Sequence, residues 1–258
     1  MQITCILLRG GVITDIESGR LVLLIGLPCI IAGVISVLTK KGIETGNLIT
    51  IDLVCGGATS EEVGKQYIDY LEKRYRAKVV EFSVRYKNPN WTPPYLRAVF
   101  DNGQVFCKQF YETEYGYAFD KMKRESCYSC NFKGDNHLSD ITIGDGWGVS
   151  QDDQGYNPFG VSVAFVHTAS GNSIIHELSD VVLFEGDAET MKQNNPRYLI
   201  PKKKSMQYDQ LKADFQRNGL LRACRKAYGI KRRLMNAIPE EILCGLRSLK
   251  HNMERSGK

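Results

Sequence analysis

The sequence predicts an α/β fold: a mixed, partly parallel sheet with flanking helices, followed by a helical, basic C-terminal extension. Three observations predict it. The apolar runs Leu21–Ile25 and Asn47–Val54 are each followed by a helix signal, and strand–helix units in series favour parallel pairing with right-handed crossovers. Asp101-Asn102-Gly103 separates the alternating segments Leu96–Phe100 and Gln104–Phe110, which marks an antiparallel hairpin. From Pro201 to Lys258 there are 15 Lys/Arg against 5 Asp/Glu, a net of +10, whereas residues 1–200 carry 19 against 24, a net of −5.

The elements follow in order. Residues 1–19 form an irregular N-terminal segment, with a helix start offered only at Asp15-Ile16-Glu17. Leu21 to Leu38 is an uncharged run of 18 residues between Arg20 and Lys40-Lys41, the minimum length for a membrane-spanning helix. Gly26-Leu27-Pro28 interrupts it. The run therefore reads as a buried strand, a tight turn and a helix from Pro28 to Leu38, because Pro suits the first helical turn, where its missing N–H would be unbonded anyway. Asn47–Val54 is the second strand. It runs through Cys55-Gly56-Gly57 into a helix from about Ser60 to Tyr75, for which Thr59 and Glu62 have capping-box spacing. Val79–Tyr86 is a strand, then comes the hairpin, then a helix over Tyr115–Arg124. Ser126–Asp140 is a loop. Ile141–Ile143 is a short strand entering Gly144-Asp145-Gly146-Trp147-Gly148. Val161–His167 is a strand, Ser170-Gly171-Asn172 a turn, Ser173–Leu178 a helix and Val181–Phe184 a strand. Residues 20–200 thus form the α/β domain and 201–258 the basic helical extension, with a break at Asn218-Gly219.

The composition is that of a globular protein, 43% hydrophobic and 24% charged, which argues against disorder and coiled coil. No secretory leader is visible, so a reducing, cytoplasmic location is expected. There, eight cysteines point to metal or redox chemistry rather than disulfides. The basic extension can meet an acidic partner or anionic lipid, or be a solvated helical face. It lacks the helix-turn-helix and finger patterns of base readers, so no nucleic acid is expected.

Cys127-Tyr128-Ser129-Cys130 is a C-x-x-C, whose turn lets two sulfurs converge on one metal. Cys29 follows the first strand and Cys55 the second. Consecutive strand ends of a parallel sheet lie on one edge, so the two can face each other. Four thiols are then available to one site, and spacing alone leaves an iron–sulfur cluster, zinc and small buried hydrophobes all open. Cys29 at a helix N-terminus could also be a nucleophile. Gly56-Gly57 is a candidate anion cradle or a plain tight turn. Asp145 and Trp147 could line a cofactor, through a hydrogen bond and by stacking, or form a structural turn. The four histidines do not cluster in sequence, and only His137 is near the C-x-x-C.

Gly26-Leu27-Pro28-Cys29 with Ile31-Ala32-Gly33, Asp52-Leu53-Val54-Cys55 with Gly57, and Cys127 to Lys133 followed by Ser139 to Asp145 and Trp147-Gly148 resemble three ordered motifs of the coenzyme F-420 hydrogenase/dehydrogenase beta-subunit family. The likeness covers roughly residues 15 to 220. It implies a redox subunit that passes electrons between a [4Fe–4S] cluster, FAD and a soluble acceptor such as a deazaflavin. It carries the cluster ligands onto Cys29, Cys55, Cys127 and Cys130, and cofactor contacts onto the edge at Gly56, Gly57, Asp145 and Trp147. Bacterial relatives occur beside surface-polysaccharide synthesis enzymes, which makes that pathway the expected setting. Leu27, Ile30, Gly56 and Gly146 replace the family's usual Thr, Gln, His and an aromatic residue, and its upstream Gly-Gly segment has no counterpart in residues 1–19. A redox partner protein, or the missing N-terminal half, is therefore expected to complete a flavin site that this chain alone leaves open. The reading from another class is a non-catalytic, zinc-stapled interaction module in a polysaccharide-assembly complex.

Overall fold

The computed structural model describes residues 11–87, 90–229 and 232. The first ten residues, and the last stretch of the basic extension with Lys231, Arg233 and Cys244, lie outside them. The elements are α1 (Gly11–Glu17), β1 (Val22–Gly26), α2 (Pro28–Lys40), β2 (Leu48–Leu53), α3 (Glu61–Tyr75), β3 (Val79–Tyr86), β4 (Tyr95–Phe100), β5 (Val105–Gln109), α4 (Glu114–Lys121), β6 (Ile141–Asp145), β7 (Ser162–Val166), α5 (Ala169–Glu177), α6 (Ala188–Asn194), α7 (Pro196–Leu199) and α8 (Tyr208–Ala227). Contacts divide the chain into two units. One comprises Met1–Gly57 with Glu125–Lys202, the other Ala58–Arg124 with Lys203–Lys258. Composition suggests a continuous stretch from 20 to 200. Contacts instead set apart the span between Gly57 and Glu125.

The first unit is built on a four-stranded sheet in the order β1-β2-β6-β7. β1 and β2 are parallel with Gly26 opposite Asp52, β2 and β6 are parallel with Asp52 opposite Thr142, and β6 and β7 are antiparallel. The long apolar run does split into β1 and α2, with Pro28 in the first helical turn. No helix among the described residues is long and apolar enough to cross a membrane. The helix start offered at Asp15-Ile16-Glu17 is instead the end of α1, which begins at Gly11. It forms because Val12 and Ile16, one turn apart, bury against Leu38 of α2, with Val22, Val34 and Leu48 packed around them. Two further expectations are corrected. Ser170-Gly171-Asn172 is not a turn but the start of α5, because Thr168 Oγ1 accepts a hydrogen bond from the Gly171 N–H at 3.1 Å and caps the helix one turn earlier. Gly171 is there for space, since a Cβ would run into the Asp140 carbonyl. Val181–Phe184 is not a strand. It pairs with neither sheet, and Val182 is 79% exposed.

The second unit pairs β3, β4 and β5 as an antiparallel sheet, with the hairpin at Asp101-Asn102-Gly103, where Gly103 takes φ +82°. Val63, Tyr67 and Leu71, four residues apart, form the buried stripe of α3. The expected capping box is absent. Ser60 holds the N-cap position without a side-chain bond, and Thr59 Oγ1 donates to the Met122 carbonyl at 2.8 Å instead. Beside it, the Arg124 N–H donates to the Ala58 carbonyl at 2.7 Å, tying together the two ends of the Ala58–Arg124 segment. The expected break in the last helix is real, with Gly219 at φ 75° and ψ 173°.

Candidate functional site

The site lies where the parallel strands of the first unit end. Cys29 is three residues past Gly26, and Cys55 three residues past Asp52. Gly26 and Asp52 are partners in register, so the two cysteines leave the sheet at matching heights. The Val54 N–H donates to the Ile143 carbonyl at 2.8 Å, which carries the β2–β6 pairing to the residue before Cys55. A Cβ at Gly144 would overlap the Val54 side chain, so glycine lets the two strands close here. Cys127 ends a short 3-10 turn, Glu125–Cys127, directly after the chain re-enters the unit.

Cys55, Cys127 and Cys130 are half-buried free thiols and Cys29 is exposed. The Cys29 thiol is raised above its ordinary range, first by burial of its surroundings and then by the negative charges of Cys55 and Cys130, with Cys127 adding to them. Cys55, Cys127 and Cys130 therefore all lie within electrostatic reach of Cys29. A raised thiol is the opposite of what a nucleophile needs. The Gly57 N–H points at Cys55 Sγ at 3.4 Å, and Gly57 holds φ +90° to do so. The Gly56-Gly57 turn thus wraps the sulfur of its own preceding residue.

Lys133 is the cation of the site, and sequence reasoning missed it. Its amine is buried and donates to the carbonyls of Cys55 and Arg197. Burial lowers its pKa, and the charges of Cys55, Cys130 and Cys127 pull it back up. Its position three residues after the C-x-x-C was the available signal. Asp145 ends β6 at the same edge, and the Trp147 N–H donates to its carbonyl at 2.9 Å. Trp147 is 42% exposed. An aliphatic cavity of about 360 Å³ opens beside Cys29, lined by Val12, Ile30, Val34 and Val37.

A family model described as the C terminus of the coenzyme F420 hydrogenase/dehydrogenase beta subunit matches residues 19–190. The chain belongs to this family. It is thereby a subunit of oxidoreductase type, and the matched span takes in all four cysteines and the Asp145–Trp147 edge. No curated protein matches the chain.

Among the described residues, no three His, Cys, Asp or Glu side chains stand close enough to share a single metal ion. His137 Nδ1 is 2.8 Å from Asp52 Oδ2. That contact belongs to a buried polar network sequence reasoning also missed. Thr142 Oγ1 lies 2.6 Å from Asp52 Oδ1 and 2.8 Å from His167 Nε2. Asp52 and Thr142 are fully buried and in register on neighbouring strands. A carboxylate inside the apolar run of β2 was the signal, since buried acids need partners.

Proposed function

We propose that the chain is an electron-transfer or reductase subunit holding a [4Fe–4S] cluster on Cys29, Cys55, Cys127 and Cys130. One observation supports this reading: Cys29 and Cys55 follow parallel strand ends in matching register, and the charges of Cys55, Cys130 and Cys127 all act on Cys29. Four thiols are the donor set that such a cluster takes. A four-iron cluster gives each thiolate its own iron, so it does not require three ligands within reach of one ion. When bound, it takes up and returns one electron at a time. The Lys133 ammonium and the Gly57 N–H supply positive charge and a hydrogen bond to the thiolates, the kind of outer contacts that tune such sites.

Gly56, Gly57, Asp145 and Trp147 border the same edge as cofactor contacts. A flavin needs a pocket covering most of its surface, with a few placed polar groups. The cavity beside Cys29 is aliphatic. FAD is therefore expected to be completed by a redox partner protein or an N-terminal half of the family type, and the isolated chain to retain little. The acceptor is a deazaflavin or another soluble carrier, in a cytoplasmic setting tied to surface-polysaccharide synthesis. The basic segment after Pro201 is the surface for an acidic partner.

Anaerobic purification followed by a visible spectrum and counts of iron, sulfide and zinc tests the reading. The expected result is a brown protein with iron and sulfide in near-equal amounts that bleaches on reduction. Stoichiometric zinc without sulfide would instead establish the stapled interaction module. Adding FAD and desalting should leave little flavin, and near-stoichiometric flavin would overturn the incomplete pocket.

A further inference from the structure

The buried network beneath the strand ends has a polarity that its hydrogen bonds determine. Thr142 has one hydroxyl proton, and its shortest contact, 2.6 Å, is to Asp52 Oδ1, which can only accept when ionised. His167 Nε2–H must then donate to Thr142 Oγ1 at 2.8 Å. His137 Nδ1–H likewise donates to Asp52 Oδ2 at 2.8 Å. Neutral His137 is left with a bare lone pair on Nε2. That atom is buried and has no hydrogen-bond partner, and the side chain is 1% exposed. Its ring stacks on Tyr198 at 4.9 Å and 6° and on His167 at 5.9 Å and 13°, which locks its orientation. A carboxylate that fixes the tautomer and aims Nε2 as a base is the arrangement of a proton acceptor. In a purely structural role the same orphan would forfeit a hydrogen bond for no return.

We propose that Asp52 and His137 form a buried proton site coupled to the charge at the four-cysteine edge. This rests on the redox reading above. Arrival of one electron at that edge from a one-electron donor adds one negative charge. One proton from solvent then binds His137 Nε2, the imidazolium is held by Asp52, and reoxidation releases the proton. Only the N–H bond forms and breaks. Asp52, which holds His137, lies three residues before Cys55, so the pair is taken as roughly 10 Å from the thiol charges, about the reach of three extended residues. A unit charge at that distance in protein changes proton affinity on the order of tenfold. His167 and Tyr198, whose rings flank His137, are themselves faced by Asp135 in the preceding turn and by Lys192 and Glu189 on α6. Lys192 and Glu189 pair with each other at 3.0 Å, which leaves the negative charge of Asp135, of the sign that favours an imidazolium.

The test uses the full chain with its cluster reconstituted, iron and sulfide counted first. The midpoint potential is then measured from about pH 5 to about pH 9, across the histidine range. A tenfold change in affinity corresponds to 59 mV for one electron, so the potential should fall by about 60 mV as pH rises. In His137→Gln it should stay flat, while His176→Gln, altered at an exposed site on α5, should behave as the unmodified protein does. A chain that takes up no cluster would refute the redox reading and this proposal together. A cluster with a flat potential in the unmodified chain would refute the proton site alone. If His137→Gln does not fold, nitrogen NMR of the imidazoles in the unmodified oxidised protein decides, with the proton expected on Nδ1 of His137. A proton on Nε2 overturns the assignment.

Discussion

Replacing Thr142 with Val keeps shape and volume while deleting one hydroxyl from a fully buried position. The loss is worked from its two bonds. The 2.6 Å contact to Asp52 is a hydrogen bond to a charged acceptor, worth about 1.5–3 kcal/mol. The 2.8 Å contact from His167 costs little, because His167 is exposed on one side and its N–H turns to water. The sum is about 2–3 kcal/mol against a total stability of roughly 5–15 kcal/mol. With m near 2 kcal/mol/M in urea, the midpoint should move by about 1–1.5 M with the slope unchanged. Trp147 belongs to the first unit and Trp91 to the second, so fluorescence in a Trp91→Phe background reports on the first unit alone. A midpoint shift under about 0.25 M would show that Asp52 does not depend on this hydroxyl. The pH dependence has a definite sign. His167 is depressed by burial, then by His137. Between its folded pKa and the unfolded value of about 6.5, the unfolded chain therefore binds more protons. Stability must fall as the solution is acidified through that window and rise again as pH is restored.

Three other outcomes are expected. Cys127→Ser or Cys130→Ser should abolish the brown chromophore and lower the melting temperature, since ligands from distant segments make binding energy folding energy; Cys107→Ser and Cys224→Ser should leave colour and iron intact. In metal-free protein, Cys29 should be alkylated only at higher pH than an ordinary thiol, and Cys55→Ser should bring that midpoint down, because the Cys55 charge is the largest one raising it; peptide mass spectrometry across pH reads this, and an unmoved midpoint would contradict it. Leu38→Ala, at a side chain with no exposure in the α1–α2 core, should cost about 2–5 kcal/mol in urea unfolding.

What could be read from the sequence was whatever is local. Pro28 announces a helix start, Asn102-Gly103 a hairpin, and two strand–helix units a parallel pair that puts Cys29 and Cys55 on one edge. What could not be read depends on partners far along the chain. The apolar residues of α1 are too few to declare a helix until Leu38 is known to receive them. Thr59 looked like a cap because its spacing to Glu62 is right, yet its hydroxyl is taken by Met122, 63 residues away. Lys133 and His137 lie in the loop Ser126–Asp140, where nothing local marks them as buried. Only their contacts with Cys55 and Asp52, 78 and 85 residues distant, show them to be buried. The four cysteines were legible as a set, and the charges that surround them were not.

The hydrogen bond between Arg124 and Ala58 means that everything from Ala58 to Arg124 begins and ends at one point of the chain. Such a segment is a closed excursion, joined along the chain to the thiol-bearing edge only through its two feet. Its loops and solvent-facing surface can then diverge, provided the feet and the faces of α3 and α4 that meet α8 are kept, whereas a change of one residue between Arg124 and Cys127 would shift both sulfurs of the C-x-x-C against β2. Variation among relatives should accordingly fall inside the excursion as insertions and deletions. The few residues from its feet to the nearest cysteines, Gly56-Gly57 on one side and Glu125-Ser126 on the other, should keep a fixed count.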